Sequence, residues 1–390
     1  MSSSSQFPAK VTDLLSALRD RPSFSLEFFP PKTDRATNAL LLMIRKMTQA
    51  HRPLWVSVTM GAGGCVSDCD STIDLSTRLL QDEGLEVVVH VTGLGKSKRR
   101  MREILNRLVR VGARNILALR GDVSDAFASG DFPHAIDVVR FIRAEFGDQF
   151  CIGVAGYPEG HIESESLESD IKYLAEKVNA GADFVVSQLF YDFRVFAMFL
   201  DLCKLAGITV PVIPGVMPIT SIQQAFNMAH FCGFRLPQEL RVTLNRLRDD
   251  DIAVREYGVL HGVEICKEVF RSERMRCRSV SRSASSGGSS GRLEIGTERR
   301  RRVSSEEAQR ATYDAAPPTT ASHSQHAGVS LHCRPSTFLH LHFYTLNQER
   351  PITEILDKLE MPDAPEHPEF QSKGREDEQP VFFPTASRGG

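Results

Sequence analysis

The segment Asn115-Ile116-Leu117-Ala118-Leu119 is an apolar run of strand length, and it ends on Arg120, Gly121 and Asp122. A strand buried on both faces reads as such a continuous run, and parallel α/β enzymes keep their chemistry at its C-terminal end. The same grammar recurs along the chain. Residues 24–29 carry Glu27, 55–59 end on Thr59, 87–90 end on His90, and 184–188 end on Gln188. One polar group at the end of strand after strand places a ring of loops around a single site.

Between these runs lie segments with helical apolar spacing. Residues 37–50 set Leu40, Leu41, Ile44 and Met47 on one face, and 71–83 do the same with Ile73, Leu75, Leu79 and Leu80. Residues 98–111 carry Met101, Ile104, Leu105 and Leu108, with Gly112 where a helix stop is expected. Further helices are predicted over 134–146, 168–180 and 193–206, closed by Gly147, Gly181 and Gly207, and, with breaks, over 221–271. Strands at 150–155 and 210–216 complete seven units. The pattern then fails from 273 to 338, where Ser, Arg, Thr, Ala and Gly dominate and too little apolar surface exists to offset the entropy of ordering. It returns once, as a strand over 341–346 and a helix over 352–359.

Eight strand–helix units are the count of a closed parallel barrel, which uses roughly 250 residues. The fold class is therefore α/β, an eight-stranded (β/α)8 TIM barrel with a disordered insertion before its last strand. The expected organisation is an N-terminal extension (1–20), strands 1–7 with their helices (21–272), the insertion (273–338), the last strand and helix (339–360), and a disordered tail (361–390). An insertion between a helix and the next strand falls on the face opposite the site. Its basic run Arg299-Arg300-Arg301-Arg302 suits acidic partners, and its serines near 279–286 suit phosphorylation; the plainer reading is a solvated spacer.

Composition narrows the class. The chain is 41% hydrophobic and 25% charged with a formal net charge of -2, so nothing global points to nucleic acid or a membrane surface. No window reaches the roughly 18 apolar residues of a span, and the N-terminus has neither the basic start nor the apolar core of a secretory signal. Cys65 and Cys69 lack a second nearby pair, so no zinc site is expected. Scattered cysteines read as free thiols in a reducing, cytoplasmic setting.

Among the strand-end groups, Glu27 is followed by Phe28, Phe29, Pro30 and Pro31. An apolar setting raises a carboxylate's pKa and suits a general acid; the competing reading is a glutamate paired with a buried Arg or Lys. Asp122 can bind an NH-rich ring or cap a helix. His90 contacts a ligand or is a satisfied core histidine. Gly61-Ala62-Gly63-Gly64 permits close backbone approach to a ligand. No Gly-x-Gly-x-x-Gly follows a strand, and Gly95-Lys96-Ser97 has His90 where a phosphate-binding loop needs its first glycine, so neither dinucleotide nor P-loop reading holds.

Five motifs then carry a resemblance. Residues 25–32 (Ser-Leu-Glu-Phe-Phe-Pro-Pro-Lys), 57–64 (Ser-Val-Thr-Met-Gly-Ala-Gly-Gly), 115–122, 154–161 (Val-Ala-Gly-Tyr-Pro-Glu-Gly-His) and 342–347 (His-Phe-Tyr-Thr-Leu-Asn) resemble methylenetetrahydrofolate reductase in order and spacing, over about 20–272 and 339–360. The resemblance implies a flavoprotein barrel that passes a hydride from NADH or NADPH through FAD to 5,10-methylenetetrahydrofolate by ping-pong kinetics. It implies Glu27 as the general acid that opens the folate's five-membered ring, and Asp122 as the aspartate beside flavin and folate. It gives Thr59, Ala62, His90, Arg120, Gly121, Ala135, Tyr157, His161, Asp170 and Lys177 to FAD, and Gln188 and Gln224, with Thr59, to the substrate. A small folate partner and a homo-oligomer, with no nucleic acid or membrane, complete the picture.

The chemistry agrees: Arg120 and Lys177 suit phosphate oxygens, and Tyr157 can stack on a ring. Departures from the family pattern are Met60 and His134 where tyrosine is frequent, Glu176 where some members have arginine, and Gln348 where many have a folate-contacting arginine, for which Arg350 is a candidate substitute. Many eukaryotic members add a C-terminal domain that binds S-adenosylmethionine. This chain ends about 30 residues after the last barrel unit, so no such feedback is expected. Two other readings stay open: a flavin-dependent barrel acting on another small molecule, and a non-catalytic barrel scaffold.

Overall fold

The computed structural model is a closed barrel of eight parallel strands, β1 (Ser23–Phe28), β2 (Trp55–Val58), β3 (Val87–Thr92), β4 (Asn115–Leu119), β5 (Cys151–Gly156), β6 (Phe184–Leu189), β7 (Val212–Val216) and β8 (His340–Tyr344). Each strand pairs with the next, and β8 returns to β1 with Ser25 opposite His342 and Glu27 opposite Tyr344. The structure describes residues 9–18, 21–61, 69–122, 130–285 and 339–364, with the side chains of the long helix before β8 described to 272. The expected insertion thus lies outside the described residues, apart from the end of that helix, as do Ala62, Gly63 and Gly64 and the tail from 365. A second compact unit, Cys277–Arg334, contributes only that helix end.

Helices follow the strands: α2 (Asp34–Ala50), α3 (Cys69–Gln81), α4 (Lys98–Val111), α5 (Ala135–Phe146), α6 (Leu167–Asn179), α7 (Phe193–Leu205), α8 (Ile222–Cys232), α9 (Gln238–Arg246), α10 (Asp251–Ser285) and α11 (Arg350–Leu359), preceded by α1 (Val11–Leu18). α4 shows why they form. Ser97 caps it by accepting from Arg100 N, Met101, Ile104, Leu105 and Leu108 are its buried stripe, and Gly112 ends it at φ 88 with its N–H on the Leu108 carbonyl. Burial of each such side chain contributes about 1.5–3 kcal/mol. β7 starts at Val212 rather than at 210, because Pro211 has no N–H for the ladder and offers only its carbonyl, to Val185 N at 2.8 Å.

The strands alternate. Phe24, Leu26 and Phe28 of β1 face outward into the layer shared with Leu40, Leu41 and Ile44 of α2. Ser23, Ser25 and Glu27 therefore face the barrel interior. The lower interior is filled by Trp55, Val88, Leu117, Phe184 and Ile213, closed by Val11, Leu15 and Leu18 of α1. The sequence reading takes 1–20 as an extension, but α1 plugs the barrel floor, held by Val11 N donating to Asn115 Oδ1 at 2.9 Å and Asn115 Nδ2 donating to Ala9 O at 2.9 Å. An eight-residue helix is marginal in isolation, so tertiary burial supports it. Cys151, Cys203 and Cys266 are buried free thiols. Among the described residues no helix is long and apolar enough to cross a membrane.

Candidate active site

A pocket of about 540 Å³ opens at the C-terminal mouth of the barrel. Its wall includes Glu27, Thr59, His90, Arg120, Gly121 and Asp122, together with Tyr157, His161 and Gln188. Strand ends far apart in the sequence, from Glu27 to Gln188, thus meet around one cavity, as the strand-end pattern predicts. The apolar part comes from Met60, Leu117, Leu119, Val186 and Met217, and from Phe231 at the rim. An apolar wall with a few polar groups suits a ring that must be oriented.

Glu27 is a buried carboxylate on the pocket wall, 5% exposed. One carboxylate oxygen, Oε2, meets two imidazoles: His342 Nε2 at 3.1 Å and His90 Nε2 at 3.3 Å. The sequence reading of a carboxylate raised by apolar surroundings is corrected here. Phe28 points outward, and the groups that face Glu27 come from β3 and β8. Burial is the largest single influence and does push the pKa up. The charges of His90 and His342, with the His342 hydrogen bond and the close approach of His90, together outweigh it and bring the value from 4.5 to about 2. The alternative of a buried Arg or Lys partner is corrected too, since both partners are histidines.

A carboxylate whose folded pKa lies below its unfolded one stabilises the fold fully above about pH 4.5 and loses that contribution as pH falls toward about 2. We expect the wild type to lose more stability than Glu27→Gln across that window in urea midpoints. Parallel loss in the two proteins would show that the imidazoles do not hold the charge.

The remaining predicted residues divide by position. Thr59 Oγ1 is buried with no hydrogen-bond partner among the described residues, while its carbonyl accepts from Thr72 Oγ1 at 2.7 Å. A buried hydroxyl left in that state on a pocket wall calls for a ligand atom. Gly121 turns at φ +98, a conformation that side chains disfavour, and so brings its backbone to the wall. Tyr157 and His161 stack edge to face at 4.7 Å, and burial pushes the Tyr157 hydroxyl up to about 12 and the His161 imidazole down. The Arg120 guanidinium forms two bonds to Glu163, including Nη2 to Oε1 at 2.8 Å, so a ligand phosphate would have to displace that carboxylate. Gln188 accepts from Leu189 N at 2.9 Å through its side-chain oxygen.

Other residues stand off the wall. Lys177 is held down by burial to about 8 and donates to the Ala155 carbonyl at 2.7 Å, 5.9 Å from the Tyr157 ring centre. Asp170 is buried in the first turn of α6, where Ser164 Oγ donates to it at 3.0 Å. Ala135 is the first residue of α5. Gln224 braces its own loop, accepting from Thr220 N at 3.2 Å and donating to Pro218 O at 3.3 Å. These four are not on the pocket wall. Of the departures, Met60 lines the pocket, whereas Arg350 is exposed and bonds Glu354 at 2.6 Å, away from it. The sequence reading missed His342 and Tyr344; a His-Leu-His-Phe-Tyr strand, polar at every second position, is the signal that could have found them.

The sequence model of the family described as Methylenetetrahydrofolate reductase matches residues 10–277. The chain is 38% identical over 275 residues to "Methylenetetrahydrofolate reductase (NADH) 1" of Zea mays, covering 67% of this chain and 46% of that protein. It is 40% identical over 258 residues to "Methylenetetrahydrofolate reductase 1" of Schizosaccharomyces pombe, covering 65% and 42%. With "Probable methylenetetrahydrofolate reductase (NADPH)" of Caenorhabditis elegans it shares 34% over 252 residues, covering 63% and 38%. The chain therefore spans less than half the length of these relatives.

Proposed function

The chain belongs to the methylenetetrahydrofolate reductase family, and from that premise we propose that its barrel reduces 5,10-methylenetetrahydrofolate to 5-methyltetrahydrofolate through FAD, with NADH or NADPH as hydride donor. The product would feed methyl transfer to methionine synthesis in the cytoplasm, from a homo-oligomeric enzyme. The observation that carries this reading is the buried Glu27 carboxylate at the floor of the pocket, touching two imidazoles.

The residues present fit FAD. The unpaired Thr59 hydroxyl and the tight Gly121 turn lie on the wall where a flavin would rest, with Tyr157 and His161 beside them. Ala62, Arg120, Ala135, Asp170 and Lys177 would complete its binding, the last two by bracing the wall. Bound FAD supplies the hydride chemistry; the protein supplies orientation and a dry floor. Gln188 and Gln224 would position the folate. Asp122 at the mouth would face the pterin, and Glu27 below would hold the proton that opens the folate's five-membered ring.

The test is an anaerobic visible spectrum of the purified protein with FAD. A flavin band should bleach with NADPH or NADH and return when 5,10-methylenetetrahydrofolate is added. A band that bleaches but does not return would favour another acceptor. No bound flavin would leave a barrel without this activity.

A further inference from the structure

Below Glu27 the barrel interior carries an uninterrupted polar column. Ser23 Oγ lies 2.7 Å from His340 Nδ1, and His340 Nε2 lies 3.0 Å from Ser25 Oγ. Ser25 Oγ lies 2.9 Å from His342 Nδ1, and His342 Nε2 lies 3.1 Å from Glu27 Oε2. All five residues are 5% exposed or less. Trp55 stacks on the His340 ring at 4.1 Å, and α1 closes the floor beneath. Two imidazoles in the core of a barrel are costly unless every ring nitrogen is paired, and here every one is.

The column has a direction. Ser25 has one proton, and its contact to the Leu341 carbonyl is long, at 3.5 Å, against 2.9 Å and 3.0 Å to the two imidazole nitrogens, so the proton goes to one ring and the other ring donates to the oxygen. If His342 Nδ1–H donates, Ser25 donates to His340 Nε2, and His340 Nδ1–H donates to Ser23. That pattern serves His342 in two states without rearrangement. In one, His342 is an imidazolium with Nε2–H on the Glu27 carboxylate. In the other, the Nε2–H bond has broken, an Oε2–H bond has formed, and neutral His342 accepts from the Glu27 hydroxyl. Nδ1–H stays on Ser25 throughout. The proton moves across one 3.1 Å contact, and no other bond changes.

We propose that His342 holds the proton that Glu27 spends on the folate, and that Ser25, His340 and Ser23 are positioning residues that keep His342 in the Nδ1–H form. This rests on the reading of Glu27 as the acid of folate reduction. It also reconciles a carboxylate that rests ionised with an acid's role, because the acidic proton waits on the neighbouring ring. Facing Glu27 are His90 from β3 and His342 and Tyr344 from β8, while β2 offers only Ser57 and Thr59. Facing His342 are Ser25 from β1, Tyr344 and His340 on its own strand, and Gly215 from β7.

The experiment compares wild type, Ser25→Ala and Ser25→Thr, each loaded with FAD and photoreduced so that the nicotinamide plays no part. Without the hydroxyl, His342 Nδ1–H loses its acceptor and the proton-loaded pair releases its proton more readily. The rate of reoxidation by 5,10-methylenetetrahydrofolate should fall roughly tenfold at neutral pH and its alkaline decline should begin about one pH unit lower. Ser25→Thr should restore both, and flavin reduction by NADPH should stay within about twofold in all three. An unchanged pH profile in Ser25→Ala, or equal loss in both half-reactions, overturns the proposal. A second readout needs no turnover: nitrogen NMR of histidine-labelled protein, with His342→Asn for assignment. Neutral His342 should be the Nδ1–H form in the wild type and the Nε2–H form in Ser25→Ala. The Nε2–H form in both refutes the column's direction. If the tautomer behaves as stated but wild type does not reduce the folate, the assigned reaction fails while the column stands.

Discussion

Gly215→Ala should lower the stability of the barrel by roughly 3 kcal/mol, the upper end for an overpacked core site. A Cβ built on Gly215 would lie 2.3 Å from the Ser187 carbonyl oxygen and 2.6 Å and 2.9 Å from the Tyr344 ring and hydroxyl. Neither neighbour can swing away. The Ser187 carbonyl belongs to the adjoining strand and accepts from the Tyr344 hydroxyl at 2.7 Å, and Gly215 N donates to Ser187 Oγ at 3.0 Å. The added methyl therefore wedges β6, β7 and β8 apart at the edge of the pocket. A melting temperature about 6–12 °C below wild type is the expected reading for a domain of this size. Gly207→Ala is the control. Its Cβ would meet nothing within 4 Å, so only its φ of +77 is penalised, by about 1 kcal/mol. Equal losses in the two variants would show that the packing around Tyr344 yields more than its geometry implies.

Tyr344 also explains why this edge bears on function. Its hydroxyl is pinned to Ser187, its ring lines the pocket, and burial pushes its pKa well above the usual range, so it is a fixed neutral wall beside His342. A shift of that ring changes the shape of the floor on which Glu27 sits.

Much of this architecture is legible in the sequence because a parallel barrel writes itself plainly. Strands buried on both faces are apolar throughout, and the helices between them carry one apolar stripe each. The polar residues that end those strands, Thr59, His90, Asp122 and Gln188, do meet at one pocket. What escapes a linear reading is what depends on partners across the barrel. Glu27 has Phe28 and Phe29 as sequence neighbours but His90 and His342 as spatial ones, and the second pair decides its charge. His340 and His342 sit between apolar residues and pass for strand filler until Ser23 and Ser25 are placed opposite them. α1 is too short to declare itself, since its three buried residues mean nothing without the floor they cover. Arg120 attracts a phosphate reading by its chemistry, and only the fold shows that Glu163 already occupies it.

The second large effect is that of Glu27→Gln. The amide matches the carboxylate in size and can still bond an imidazole, so the fold and the pocket walls should survive. It cannot carry a transferable acid proton. General acid catalysis by a positioned group is worth typically 10²–10⁴-fold, so reduction of the folate should fall by about that factor. Hydride transfer from the nicotinamide to FAD needs no proton from this position and should proceed at close to the wild-type rate. The two half-reactions should therefore part company in one variant, which neither a scaffold nor a general loss of cofactor binding can produce. The decisive measurement is rapid-mixing spectroscopy of Glu27→Gln with bound FAD, in two steps. NADPH should bleach the flavin as it does in the wild type, and 5,10-methylenetetrahydrofolate should then fail to bring the band back on the wild-type timescale. Recovery of the band at the wild-type rate would contradict the account, because the buried carboxylate between two imidazoles would then have no part in the reaction.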